Sequence, residues 1–201
     1  MLNAPIGQDF EIASSGTHLG RCYRIVDIGT SRYEKFNKYI RKIIILFELS
    51  NLKMKDGKPF IVSLFCTLSL NRKSTLRKLL EQWRGKSFTD EEAESFDLMK
   101  LLSIPAQINI IHREKNGETY ANIEAILPAV NMNCPQAVNE VFGFSLQDYT
   151  DESFGKLSEK LQKKIMASKE WQSGSVKEKG SAAEAKTQAG KENDVPYQPP
   201  F

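Results

Sequence analysis

Histidine is nearly absent from this chain: there are two in 201 residues, His18 and His112. They stand far apart, and neither lies in an H-E-x-x-H pattern, so a histidine-built zinc site has no foundation. Cys22, Cys66 and Cys134 are odd in number and widely spaced. No pair has the C-x-x-C spacing of a metal knuckle or redox centre, and no disulfide framework is expected. Cys22 and Cys66 lie in apolar stretches and read as small buried hydrophobes, a usage that fits a reducing compartment. No apolar run approaches the roughly 18 residues a membrane helix needs; the longest, Ile43-Ile44-Ile45-Leu46-Phe47, is strand-sized. Met1-Leu2-Asn3-Ala4-Pro5 has no basic residue ahead of an apolar run, so no secretory leader is expected, and the protein is expected in a cytoplasm. Catalytic patterns are missing too. There is no G-x-S-x-G, and Gly57-Lys58-Pro59 lacks the upstream glycine and the Ser/Thr of a phosphate loop. The acids form no paired set suited to two metals. No metal or cofactor is expected, and an enzyme is the least favoured function class.

What is present is an uneven distribution of charge. The formal net charge is only +3. Residues 20–86 nevertheless hold 16 Lys/Arg against 5 Asp/Glu, whereas residues 87–150 hold 3 against 10. A basic block of that size within a folded segment points to a polyanionic partner; a lysine-rich solvated surface is the plainer alternative.

Residues 1–19 are polar and read as a flexible lead-in. Gly20–Gly29, Lys42–Leu49 and Phe60–Leu70 carry β-forming residues and read as three strands, with Asp56-Gly57 marking a hairpin between the last two. The period then changes. Ser74 is a good N-cap; Leu76, Leu79, Leu80 and Trp83 follow at helical spacing, and Gly85 stands where a helix ends. Trp83 belongs to this apolar stripe and reads as core. Thr89 with Glu92 predicts a capping box, and Asp90-Glu91-Glu92 reads as capping of that helix rather than an acid/base pair. Ala106–Glu114 and Glu118–Leu127 are two further strands around the hairpin signal Lys115-Asn116-Gly117. Five short strands with a helix between the third and fourth is the order of an OB-fold barrel, here spanning residues 20–149; a simple antiparallel α+β sheet is the runner-up. Phe154, Leu157, Leu161 and Ile165 suggest an amphipathic helix within 150–171. Residues 172–201 are mostly Ser, Gly, Ala, Lys, Glu and Gln and are expected to be a disordered tail.

The functional signal is a binding constellation. Arg32, Tyr33, Lys35, Phe36, Lys38, Tyr39, Arg41 and Lys42 interleave cations and rings in what reads as the connection between strands one and two. Single-strand binders use those parts: cations follow phosphates, and rings stack on bases for about 1–3 kcal/mol per base. Phe36 and Tyr39 packing onto the barrel end is the alternative. In the OB layout this connection frames the binding face together with the hairpin carrying Arg113 and Lys115. Lys53, Lys55 and Lys58 would lie on the neighbouring hairpin. His112, beside Arg113, could touch a phosphate or be a half-exposed strand residue. On the third strand Phe60, Val62, Leu64, Cys66 and Leu68 form the apolar face. Phe65 is a large ring on the polar face, either a stacking platform or part of a second small core.

Four segments also resemble a group of phage-encoded proteins of replication and recombination regions: Val26-Asp27-Ile28-Gly29-Thr30, Thr67-Leu68-Ser69-Leu70, the stretch from Leu76 to Gly85, and that from Asn116 to Ile123. The resemblance covers roughly residues 20–130. It implies single-stranded DNA binding and protection in a bacterial host cell. The end of the chain is similar to the tips of bacterial single-stranded DNA-binding proteins: Asp194-Val195-Pro196-Tyr197 resembles Asp-Ile-Pro-Phe, and Pro200-Phe201 supplies a terminal Pro-Phe. Those tips recruit replication and recombination proteins, with a carboxylate and a ring filling one pocket. Only Glu192 and Asp194 stand near as acids, fewer than the pattern has. A protein-interaction adaptor in a phage replication or recombination complex, with little DNA affinity, is the alternative function. Self-association, binding-site size and affinity for RNA or duplex are left open by the sequence.

Overall fold

The computed structural model describes residues 11–34 and 37–174. Three long strands open it: β1 (Gly16–Tyr33), β2 (Lys38–Lys53) and β3 (Pro59–Thr67). Two helices, α1 (Thr75–Arg84) and α2 (Asp90–Ser95), and a 3-10 turn (Leu98–Leu101) lead to β4 (Pro105–Lys115) and β5 (Glu118–Pro128). A short strand β6 (Phe142–Phe144) precedes α3 (Asp151–Gly155), α4 (Glu159–Met166) and α5 (Lys169–Gln172). The sheet order is β3-β2-β1-β4-β5, joined by antiparallel ladders, with β6 added parallel to β1. Strand β1 is the hub: its first residues pair with β4, its remainder with β2, and Arg24–Val26 with β6.

The protein is therefore mainly β, with few helices, and its helix pair falls between the third and fourth strands as expected. Closure is the point of difference. Cα atoms of β3 and β5 come within 8 Å, but no ladder joins these two ends of the sheet, which is open among the described residues.

Local sequence explains the elements. The Ser74 hydroxyl accepts from the Arg77 N–H at 3.3 Å, and Gly85 ends α1 at φ 65°, a left-handed conformation that glycine adopts without strain. Thr89 and Glu92 form the reciprocal capping box of α2. Asn116 and Gly117, at φ 54° and 80°, make the two-residue turn between β4 and β5.

Two apolar cores flank the sheet. The first collects Ile25, Ile43, Ile45, Phe47, Val62, Ile108 and Ile126 beneath the stripe of α1. Trp83 belongs to it, and its indole N–H donates to the Pro105 carbonyl at 2.9 Å. The second lies against the opposite face of β1, where Val26 and Ile28 meet Phe144, Leu146, Tyr149, Leu157 and Ile165. With a core on each face, β1 is buried almost without interruption from His18 to Gly29, its charged residues Arg21 and Asp27 included.

Several boundaries differ from expectation. Strand begins at Gly16, inside the stretch read as lead-in, and Ala13 is already buried. The two histidines tie this entry down: His18 Nε2 donates to the Ser14 carbonyl and His112 Nε2 to the Ala13 carbonyl, both at 2.8 Å. The segment 150–171 is three short helices rather than one. Thr150 and Ser168 each cap a new N-terminus, accepting from Ser153 N–H and Trp171 N–H, and Lys156 to Ser158 break the run between α3 and α4. Phe154, Leu157, Leu161 and Ile165 still gather on one side, as the second core. Among the described residues, no helix is long and apolar enough to cross a membrane.

Candidate nucleic-acid interface

Of the interleaved stretch, residues 30–33 and 38–42 form a β-ribbon rather than a loose connection. Strands β1 and β2 continue past the body of the sheet, with Thr30 opposite Arg41, Arg32 opposite Tyr39, and Tyr33 opposite Lys38. Opposed residues share a face and successive ones alternate, so Tyr33, Lys38 and Lys42 lie on one face and Arg32, Tyr39 and Arg41 on the other. Register also carries Lys42 onto the face of Phe65, because Ile44 stands opposite Phe65 and two residues from Lys42.

This face holds a row of rings and cations. The Lys42 Nζ sits 5.6 Å from the Tyr33 ring centroid and 5.4 Å from that of Phe65, within cation–π range. Lys164 of α4 reaches the same Phe65 ring at 5.1 Å. On the other face Lys169 of α5 lies 5.3 Å from the Tyr39 centroid. The rings are open to solvent: Tyr39 is 64% exposed, Phe65 47% and Tyr33 37%. The alternation Phe60, Val62, Leu64 inward and Ile61, Ser63, Phe65 outward is as the sequence predicts. Beyond Phe65 the free side of β3 borders a cleft of about 550 Å³, shared with Asn71, Lys73 and the start of α1.

Much of the basic block is structural. Arg21 donates to the carbonyls of Ser103, Cys134 and Pro135. Arg77, buried, bridges Glu81 and Asp90 and caps the Phe88 carbonyl at 2.7 Å. Arg41, read from sequence as a phosphate ligand, pairs with the buried carboxylate of Asp27, which also accepts from Gly29 N–H at 3.0 Å and Leu146 N–H at 3.3 Å. That bond holds the Arg41 guanidinium above even its usual pKa range, against the opposing effect of burial. Arg41 thus locks the base of the ribbon to the turn after β6.

The other sequence-derived candidates scatter. Arg32 is exposed and donates to Asn37 Oδ1 at 2.8 Å. Lys53, Lys55 and Lys58 are exposed at the β2–β3 turn, where Lys58 pairs with Asp56 at 2.8 Å. Arg113 pairs with Glu124 at 2.9 Å on the protruding β4–β5 hairpin, and with Glu114 and Glu118 beside Lys115 that hairpin carries no excess of positive charge. Lys35, Phe36 and the tip residues Asp194, Val195, Pro196, Tyr197, Pro200 and Phe201 lie outside the described residues. Lys164 and Lys169 were not among the candidates. Lysines at 160, 163, 164 and 169 are visible as a basic helix in the sequence, but their position over the sheet depends on packing 120 and more residues away.

Among the described residues, no group of three His, Cys, Asp or Glu could hold a metal ion. No family model matches this chain, and no curated protein matches it.

Proposed function

We propose that this protein binds single-stranded DNA with little sequence preference, and protects it during phage replication or recombination. The observation that carries this reading is the row Tyr33–Lys42–Phe65: two exposed rings on one sheet face with an ammonium group between them. Bases stack on such rings whatever their identity, and the phosphates between successive bases take up the cation. The strand order β3-β2-β1-β4-β5, with helices between the third and fourth strands, supports an OB-type reading. We read the open sheet as a member of that type, with the β1–β2 ribbon framing its outer face. The tip from Asp194 to Phe201 would recruit replication or recombination proteins, by its similarity to bacterial tips.

The test is fluorescence anisotropy of a labelled, unstructured oligonucleotide, single-stranded and duplex, across a salt series. Salt-sensitive binding that prefers the single strand is expected, with log affinity falling by about 0.7 per phosphate contacted for each tenfold rise in salt. An absence of binding even at low salt would sink the proposal and favour the adaptor, for which a pull-down with the intact tip is the next experiment.

A further inference from the structure

Resting on the single-strand reading, we infer that the C-terminal helices add phosphate contacts beside the exposed rings, Lys164 on the Phe65 face of the sheet and Lys169 on the Tyr39 face. Each of these lysines stands over an exposed ring of the β-sheet: Lys164 over Phe65, Lys169 over Tyr39. The Phe65 ring is approached by two ammonium groups from separate elements, Lys42 and Lys164. Neither has an ion-pair partner among the described residues. Two like charges directed at one ring repel each other, and an anion entering between them relieves that repulsion.

The helices are held firmly enough to position these charges. Leu161 and Ile165 anchor α4 in the second core. Trp171 of α5 stacks on Phe154, with ring centroids 4.7 Å apart. The Glu170 carboxylate, the acid nearest Lys169 in the chain, accepts from the N–H of Thr30 at 2.8 Å and from its hydroxyl at 2.5 Å. The acid beside Lys169 is thus engaged by the ribbon, while Lys164 and Lys169 are exposed. Exposed cations on a rigid helix opposite exposed rings on a sheet suit a chain that alternates phosphate and base.

The experiment compares the full chain, K164A/K169A, K164R/K169R and a control pair K78A/K100A, using fluorescein-labelled oligothymidylate from 0.05 to about 0.5 M salt, a range in which phosphate contacts dominate. Loss of two contacts flattens the slope of log affinity against log salt by about 1.4, and lowers affinity about 25-fold at about 0.1 M salt if the lines meet near 1 M. The arginine pair keeps the slope, and the control pair matches the full chain. Unchanged tryptophan emission and melting temperature show that α4 and α5 remain docked. An alanine pair with the parental slope, or a control pair that loses as much, overturns the inference while leaving single-strand binding intact. Failure of the full chain to bind removes the single-strand reading itself, and this inference with it.

Discussion

Gly29 lies directly beneath Ser168: a β-carbon on Gly29 would stand 2.6 Å from the Ser168 Cβ. Gly29 has φ 77°, beside an irregularity in the β1–β2 ladder between Asp27 and Gly29. Two requirements meet at one residue, a left-handed backbone and the absence of a side chain, and both serve to seat the first turn of α5 on the ribbon.

Gly29→Ala meets both penalties. The expected loss of stability is about 2–4 kcal/mol, from the strained φ and the overlap together. Urea denaturation followed by far-UV circular dichroism gives the size of the loss. Trp171 emission shows whether the C-terminal helices lift away first. A parental midpoint would mean that Ser168 yields without cost.

The rings and the cations are separable in solution. Tyr33→Ala and Phe65→Ala remove no charge, so each is expected to weaken oligothymidylate binding by about 1–3 kcal/mol with an unaltered salt slope. If either variant flattens the slope and loses affinity mainly at low salt, the ring is holding a lysine in place rather than stacking on a base.

Asp27 and Arg41 act on stability. Asp27→Asn keeps the shape but leaves the Arg41 guanidinium, 30% exposed, without its counter-charge. Breaking a buried pair costs about 3–5 kcal/mol, and the partial exposure of Arg41 reduces this to roughly 2–3 kcal/mol. The double variant D27N/R41M should recover part of the loss. Denaturation midpoints of the single and double variants measure the coupling.

Docking of α5 should weaken in acid. Burial pushes the Glu170 carboxyl upward, but hydrogen bonds from the hydroxyl and N–H of Thr30 outweigh it and hold the group below the usual glutamate range. A carboxyl whose folded pKa is depressed contributes stability that is complete above its unfolded value, near about 4.3, and is lost as pH falls through the lower folded value. Glu170→Gln should flatten the melting-temperature profile on the acid side of about pH 4.3. A parallel profile would assign the acid sensitivity to other carboxylates.

Thiol labelling offers a check on the interior. Burial pushes the Cys66 thiol up to about 12, and the Cys22 thiol higher still. The Cys134 side chain is buried, within 3.3 Å of the Ser50 hydroxyl. Because the thiolate is the reactive form, an aromatic disulfide reagent at pH 8 should label the native protein slowly and all three thiols on denaturation. Rapid native labelling of Cys66 would show that the free side of β3 opens.

Sequence legibility followed the presence of a buried face. Leu76, Leu79, Leu80 and Trp83 between Ser74 and Gly85 specify α1 because one side of the helix is core and both ends are capped. The alternation of β3 and the Asn116-Gly117 turn were legible for similar local reasons. The ribbon from Thr30 to Arg41 was not: much of it is solvated, so its residues follow no hydrophobic period and read as a connection. Strand β6 is visible only as Phe142 and Phe144 around a glycine, and its partner lies more than a hundred residues earlier. For the candidate site, residue types were legible but their grouping was not. The charge count treats Arg41 and Lys42 alike, yet the first is committed to Asp27 and the second stands among exposed rings.

The covering of β1 by the C-terminal quarter has a consequence for synthesis. Ile28 and Ile165 share the second core but are 137 residues apart in the chain. At about 5–20 residues per second, roughly 7–27 seconds pass on the ribosome between the two. The meander β1–β2–β3 is complete long before then, so Val26, Ile28 and Ile44 leave the exit tunnel as an uncovered apolar strip. For that interval the strip is open to chaperones, or to the same strip on a neighbouring nascent chain, and a chain shortened before Phe142 would keep it bare for its whole lifetime.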